Sequence, residues 1–269
     1  MKDIQFFNQL SDRGCQWQEC TLLMPAVSVG NVGQLAVDLL VTTLIWERKV
    51  KLVGRIFSTA LKSVSGPNAY QFDDDSPIMT TCEVYESVDH KLVILQLRAP
   101  PYKERSKQFV EELSKWIGEE KFKLAICLSS SFSQYLSPQI FDKESKPIRY
   151  ISTNILKENS PSILSDQLKV TELKEESEND EELSISAIVG GGLTKTLYQY
   201  WQKENVPGLL LVIFCSEGDN TPEAMEILET ANKIIKVKEP ITSSKPQNRW
   251  KTPISWMQIF GGAIPNNLF

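Results

Sequence analysis

Four long apolar runs, each followed by a segment with helical spacing of apolar residues, constrain the fold of this chain more than any other feature. Two of them, Lys91–Arg98 and Gly208–Cys215, are almost wholly apolar. A strand without polar alternation is buried on both faces, which is typical of a parallel sheet covered by helices. We therefore predict one α/β domain with a mostly parallel sheet, helices on both faces and an antiparallel hairpin or edge. The other two runs are Thr21–Val27 and Lys123–Leu128.

Composition along the chain divides it into a folded body and two flanking segments. Residues 1–20 are predicted as a lead-in, 21–240 as a single α/β domain and 241–269 as an irregular C-terminal tail. Within the body, residues 165–182 are predicted as a disordered loop, because positions 172–182 hold seven acidic residues and one Lys. An acidic arm that docks on a partner is the alternative interpretation of this loop.

The bulk composition argues against several classes of protein. The formal net charge of −5 disfavours broad binding to nucleic acid, which needs clustered Lys and Arg. The apolar stretch 21–45 is interrupted by Gln34, Asp38 and two glycines, so it predicts a strand and a buried helix and no membrane span. The first residues lack the pattern of a signal peptide. Five scattered cysteines suit a reducing compartment, and we expect the cytoplasm and the nucleus.

Loops at the carboxyl ends of parallel strands are the usual ligand sites of such folds. Two of the predicted loops contain glycines, which can let backbone amides bind an anion. Neither has the full spacing of a dinucleotide-binding or P-loop motif. Tight turns and close packing of helices on the sheet are the alternative interpretation. The four loops are predicted at Ser28–Gly33, Ser129–Ser131, Gly190–Gly192 and Ser216–Asn220.

Residues that suit catalysis are few in this sequence. His90, the only histidine, lies in a predicted hairpin turn and would have to serve any Ser-His-Asp triad. Glu217 and Asp219 are candidate catalytic carboxylates, although acids at the start of a helix commonly interact with its dipole. The cysteines and the histidine lack zinc-binding spacing. We therefore expect no enzyme activity, no bound metal and no cofactor.

The last 25 residues contain three prolines, two glycines and two tryptophans, a composition that forbids a long helix and is too apolar for a solvated tail. The segment either packs back onto its own domain or docks its end in a partner's pocket. In the second case Leu268, Phe269 and the terminal carboxylate are the anchors. Burial of one Phe or Leu contributes roughly 1.5–3 kcal/mol, whereas micromolar binding needs about 8 kcal/mol. The tail end alone would therefore bind weakly.

Seven segments, in order from about Leu22 to Phe269, carry a resemblance to a known family. They are LLMPAVSVGNVGQLAVDLL (22–40), CEVY (82–85), KLVILQLRAP (91–100), LSSS (128–131), GGGLTKTLY (190–198), SEGDN (216–220) and RWKTPISWMQIFGGAIPNNLF (249–269). Together they resemble the family of proteasome assembly chaperones. The match is weak across 1–20, 55–80 and 135–185.

The resemblance implies a phosphorylase-like or hydrolase-like α/β fold that works without catalysis. It implies a heterodimer with proteasome assembly chaperone 1, bound to proteasome α subunits on the outer face of the α-ring of the 20S proteasome during assembly. Such a pair promotes correct ring formation and opposes off-pathway ring association and premature activator binding. Two alternative hypotheses remain: a phosphorylase-like enzyme acting on a nucleoside or related small molecule, and a peptide-binding module that binds its own tail.

The resemblance also assigns roles in the tail. Tails in this system resemble a hydrophobic-Tyr-any motif that enters pockets between α subunits. This chain departs from the motif, because Asn267-Leu268-Phe269 places Leu at the Tyr position. The residues predicted to bind a partner are Ile264, Pro265, Leu268 and Phe269. Those predicted to pack the tail on the body or to form the interface between chaperones are Trp250, Trp256 and Phe260.

Overall fold

Within the residues that the structure describes, the strands form a nine-stranded mixed sheet and a separate two-stranded ribbon. The structure is a computed structural model that describes residues 4–8, 16–71, 77–135, 148–173, 184–239 and 249–258. For residues 257 and 258 it describes the backbone only. In chain order the strands are β1 (Gln5–Asn8), β2 (Thr21–Pro25), β3 (Lys51–Phe57), β4 (Ser65–Gly66), β5 (Met79–Thr80), β6 (Cys82–Ser87), β7 (Leu92–Leu97), β8 (Leu124–Phe132), β9 (Ile148–Ser152), β10 (Thr171–Glu172) and β11 (Gly208–Cys215).

Strand β8 leads into a 3-10 turn, whereas β2, β7 and β11 lead into helices as the sequence predicts. In chain order the helices are α1 (Val32–Trp46), α2 (Ser106–Glu120), α3 (Asn154–Asn159), α4 (Thr194–Lys203) and α5 (Thr221–Ile235). Short 3-10 turns occupy Val29–Asn31, Lys103–Arg105, Ser133–Tyr135, Ile185–Ala187 and Ile254–Gln258, and a π-helical turn spans Ile163–Leu168.

The large sheet has the order β1-β3-β6-β7-β2-β8-β11-β9-β10. Its four central strands, β7, β2, β8 and β11, run parallel, which confirms the predicted class. Antiparallel pairing is more extensive than the single hairpin or edge that the sequence predicts. Strands β1, β3, β6 and β7 form an antiparallel meander on one side, and β9 pairs antiparallel with β11 on the other. Because β6 and β7 are joined by a short turn, antiparallel pairing is the arrangement open to them.

Helices cover both faces of the sheet, as predicted. Alternate residues of each central strand point to opposite layers, so Leu22 and Leu23 of β2 belong to different core clusters. Helices α1 and α5 pack side by side on the Leu23 face, and α2 and α4 on the Leu22 face. This two-sided burial explains why the sequences of the central strands are uninterrupted apolar runs.

Helix α1 is apolar on nearly all sides. By length and composition alone, the segment Val29–Trp46 is able to cross a membrane. In the structure 61% of that segment is buried, between the sheet and α5. The burial accounts for its composition, as for the core helix of a folded domain.

The described residues within 1–20 belong to the sheet and the core, which differs from the predicted lead-in. Strand β1 pairs with β3, and a Cβ on Gly54 of β3 would lie 2.4 Å from the Phe6 ring. Trp17 is 1% exposed and stacks on Phe122 with ring centroids 5.6 Å apart. These apolar patches are too short to show a helical or strand period, so periodicity gives no signal for them.

The predicted disordered loop at 165–182 is only partly described. Residues 165–173 contain the end of the π-helical turn and strand β10. Leu168 and Leu173 are buried, and Lys233 Nζ donates a hydrogen bond to the Leu168 carbonyl at 2.7 Å. For this part the prediction of disorder does not hold, because two leucines find places in the core. Residues 174–182 lie outside the described residues.

We expect Trp17→Ala to lower the free energy of unfolding by about 3–5 kcal/mol, because it removes a fully buried indole. Trp46 provides a matched control, since it is 64% exposed. Trp46→Ala should cost less than about 1 kcal/mol. Urea unfolding followed by circular dichroism measures both changes, and equal losses would contradict the placement of Trp17 in the core.

Candidate protein-binding surface

The loops at the carboxyl ends of the central strands lie together, and their groups bond to one another. Ser28 Oγ lies 2.7 Å from Ser130 Oγ, and the Ser130 hydroxyl donates to the Val29 carbonyl at 2.5 Å. The Val29 amide in turn donates to the Gly190 carbonyl at 2.9 Å. Both serines are buried. The hydroxyls and the amide at this end of the sheet therefore hold the loops to each other.

Two glycines in these loops allow the close packing. Gly30 has a φ of +65°, and a Cβ there would lie 2.4 Å from Asn220 Nδ2. Gly192 has a φ of +56°, and a Cβ there would lie 1.7 Å from the Val27 carbonyl oxygen. Glycine satisfies both the backbone angle and the lack of space. The arrangement favours tight turns over an anion site as the reason for these glycines.

His90 forms a hydrogen bond with a serine, but in a place that suits structure better than catalysis. Its Nδ1 lies 2.8 Å from Ser87 Oγ in the turn between β6 and β7. Ser87 is 0% exposed, so its hydroxyl does not reach a substrate. Burial and then the charge of Lys49 lower the pKa of His90, which keeps the imidazole neutral at pH 7. The pair stabilises the turn.

The acids before α5 are helix-start residues. Asp219 Oδ1 accepts a hydrogen bond from the Thr221 amide at 3.0 Å. Bonds from the hydroxyl and then the amide of Thr221 lower the pKa of Asp219. Glu217 is exposed beside it. Among the described residues, no group of three or more His, Cys, Asp or Glu is placed to hold a metal ion.

The C-terminal strap, residues 249–258, packs across the two helices on the Leu23 face of the sheet. Trp250 is 5% exposed, and its Nε1 donates to Glu229 Oε1 of α5 at 2.7 Å. The Lys251 amide donates to Thr43 Oγ1 of α1 at 2.8 Å. The strap thus begins with one anchor on each helix.

The far end of the strap contacts the 66–71 loop, which lies between β4 and β5. The Ser255 amide donates to the Ala69 carbonyl at 3.1 Å, and Trp256 is half-buried against the same core layer as Trp250. A role of either tryptophan in binding a partner stays a prediction. The other predicted site residues, Phe260, Ile264, Pro265, Leu268 and Phe269, lie outside the described residues.

A buried ion cluster of Asp38, Tyr70, Gln96 and Arg98 lies beneath the 66–71 loop. Asp38 Oδ1 accepts hydrogen bonds from the Tyr70 hydroxyl at 2.8 Å and from Gln96 Nε2 at 2.6 Å. Arg98 Nη2 lies 3.1 Å from the same oxygen and donates to the Tyr70 hydroxyl oxygen at 2.9 Å. The cluster joins α1, the end of β7 and the loop.

The charges of this cluster depend on one another. Burial alone would lower the pKa of Arg98, but Asp38 and then Tyr70 raise it overall, so the guanidinium stays charged. Burial and then the charge of Asp38 raise the pKa of Tyr70, so its hydroxyl stays neutral and can donate. Sequence reasoning missed this cluster. Its one signal was a single acid, Asp38, within the apolar run of α1.

A second feature that sequence reasoning missed is the sheet-edge patch of Phe7, Phe57 and Val64. The rings of Phe7 and Phe57 meet edge to face at 5.3 Å between centroids, and they are 53% and 48% exposed. Phe57 and Val64 also line a surface cleft of about 230 Å³. Exposed aromatic groups at a sheet edge are common at protein contact surfaces.

Comparison with known proteins identifies relatives of this chain. The family model described as the PAC2 family matches residues 22–247. Proteasome assembly chaperone 2 of Xenopus laevis is 35% identical over 257 residues, which cover 93% of this chain and 94% of the relative. The protein of the same name from Homo sapiens is 36% identical over 262 residues, with the same coverage of both chains.

A solved structure with the same fold comes from an archaeon. Pyrococcus furiosus PbaA, described as an archaeal homolog of proteasome-assembly chaperone, superposes with a TM-score of 0.61 at 14% identity. The match covers 89% of this chain and 88% of that chain. At this identity the likeness shows the fold alone.

We expect Asp38→Ala to destabilise the protein by about 3–5 kcal/mol, because it leaves the Arg98 guanidinium buried without its carboxylate. The double variant Asp38→Ala, Arg98→Met should recover part of that loss, since it removes the unpaired charge. Urea unfolding of the wild type, both single variants and the double variant gives the coupling energy. If the stability losses of the two single variants simply add in the double variant, Asp38 and Arg98 are not energetically coupled.

Proposed function

We propose that this chain, which belongs to the PAC2 family, is a proteasome assembly chaperone that works by binding other polypeptides. One observation carries the proposal: the curated relatives that share this name match along nearly the full length of both chains. A match at 35–36% identity that covers 93% of this chain is not confined to a shared fold.

The finer part of the proposal concerns partners. The chain forms a heterodimer with proteasome assembly chaperone 1, and the pair binds proteasome α subunits on the outer face of the assembling α-ring, in the cytoplasm and the nucleus. The family resemblance supports these partners. The exposed sheet-edge patch is consistent with a protein that buries part of its surface in a complex.

The packing of the strand-end loops supports a role without catalysis. In α/β folds these loops carry the ligand site. Here the buried hydroxyls of Ser28 and Ser130 bond to each other and to the backbone, and glycines bring the loops into close contact. No observation among the described residues favours the alternative of a phosphorylase-like enzyme.

The tail supplies an additional anchor in this proposal. Residues 264–269 follow the strap and end in Leu268 and Phe269. Each contributes roughly 1.5–3 kcal/mol when buried, which is too little for firm binding alone. Linkage to a body that contacts the ring raises the effective concentration of the tail end at its pocket.

We expect the chain to co-purify with proteasome assembly chaperone 1 when the two are co-expressed, and the complex to bind α subunits. Replacement of Leu268 and Phe269 by Ser should weaken binding to α subunits by about tenfold or more, because it removes both apolar anchors. Replacement of Asn266 and Asn267 by Ser is the matched control and should have little effect. Affinities are measured by surface plasmon resonance, with melting temperatures to show that folding is unchanged.

Two results would contradict the proposal in different ways. Undiminished binding by the Leu268 and Phe269 variant would remove the tail from the mechanism and leave the chaperone role intact. The enzyme hypothesis would be favoured by a monomer that does not bind proteasome subunits. Such a monomer would be stabilised by a nucleoside in a thermal-shift screen and would convert it to product. Loss of that stabilisation in Glu217→Ala would place the reaction at the strand-end loops.

A further inference from the structure

Two separate parts of the molecule meet at the 66–71 loop. The buried ion cluster holds the loop from beneath. The far end of the C-terminal strap also contacts the loop. The predicted partner-binding residues come only a few positions after the strap. The loop therefore connects a buried charge network with the segment that carries the tail.

The attachment of the loop to the body depends on Tyr70. This side chain is 2% exposed, and its hydroxyl both donates to Asp38 and accepts from Arg98. The Arg98 guanidinium also lies 5.4 Å from the centroid of the Tyr70 ring. Within the loop, the Tyr70 amide donates to Asn68 Oδ1 at 2.9 Å. These contacts of Tyr70 fix the position of the neighbouring Ala69 backbone.

The attachment of the strap to the loop depends on the Ala69 carbonyl. That carbonyl accepts from the Ser255 amide at 3.1 Å. The anchors of Trp250 on Glu229 and of Lys251 on Thr43 hold only the beginning of the strap. The Ser255 bond to Ala69 and the packing of Trp256 on the same core layer are the contacts of the far end of the strap.

We propose that the buried ion cluster positions the C-terminal tail, with Tyr70 as the positioning residue that fixes the Ala69 carbonyl for the strap. This inference rests on the proposed function, because it concerns a tail that binds a partner. With Ser255 attached, 14 residues follow this attachment point. Release of the strap back to Lys251 would leave 18 residues after the last attachment point. Effective concentration at the pocket falls as roughly the −3/2 power of length, which predicts about a 1.5-fold loss of tail-dependent affinity.

The first test compares two tyrosines in the full chain by amide hydrogen exchange. Tyr70→Phe removes the hydroxyl between Asp38 and Arg98. Tyr85→Phe is the matched control, because Tyr85 is 5% exposed and its hydroxyl donates to the Glu83 carboxylate at 2.8 Å without contacting the strap. We expect Tyr70→Phe to speed exchange across the strap by roughly fivefold to tenfold, as the loss of one hydrogen bond does. Tyr85→Phe should leave strap exchange unchanged.

The second test measures affinity for α subunits in two backgrounds, the full chain and a chain that ends at Gln258. We expect Tyr70→Phe to weaken binding by about 1.5-fold in the full chain and to have no effect in the shortened chain. Ser255→Pro should behave in the same way while leaving the cluster intact, since it removes only the amide that donates to Ala69. Proline is tolerated in the first turn of a helix.

Several outcomes overturn the inference. Strap exchange that is unchanged in Tyr70→Phe, or equally faster in both tyrosine variants, shows that the cluster does not hold the strap. Equal losses of affinity in the full and shortened chains show that Tyr70 acts by another route. A full chain that fails to bind α subunits refutes the proposed function, and the exchange experiment still decides whether the cluster holds the strap.

Discussion

Burial of the central strands on both faces is the constraint on which the rest of this structure depends. Strands β7, β2, β8 and β11 have apolar side chains above and below the sheet, so two helical layers are required to cover them. The layer of α1 and α5 then presents the surface on which the strap lies. The position of the strap is in this sense a consequence of the sheet.

The same constraint shapes the end of the sheet where a related fold would carry a ligand site. Helices that pack closely on both faces bring their preceding loops together, and glycines at positions 30 and 192 permit that approach. The hydroxyls in these loops are then used to bond loop to loop. The contacts proposed with other polypeptides accordingly lie outside these loops.

The parts of this structure that were predictable from sequence are those with long, regular patterns. The uninterrupted runs at β7 and β11 indicated central parallel strands, and the stripes after them indicated the helices. The placement of Phe6 and Trp17 was not predictable, because isolated aromatic residues join the core only through pairing with distant strands. The partners of Asp38 were equally hidden, since Tyr70 and Arg98 lie 32 and 60 positions away.

The order of synthesis gives the apolar character of α1 a further consequence. This helix emerges from the ribosome before α5 and the strap, which cover it. At about 5–20 residues per second, roughly 200 residues of further synthesis take about 10–40 s. During that interval a segment with the length and composition of a membrane span lacks part of its cover. Until α5 is complete, the strands already synthesised are what the fold supplies to cover α1.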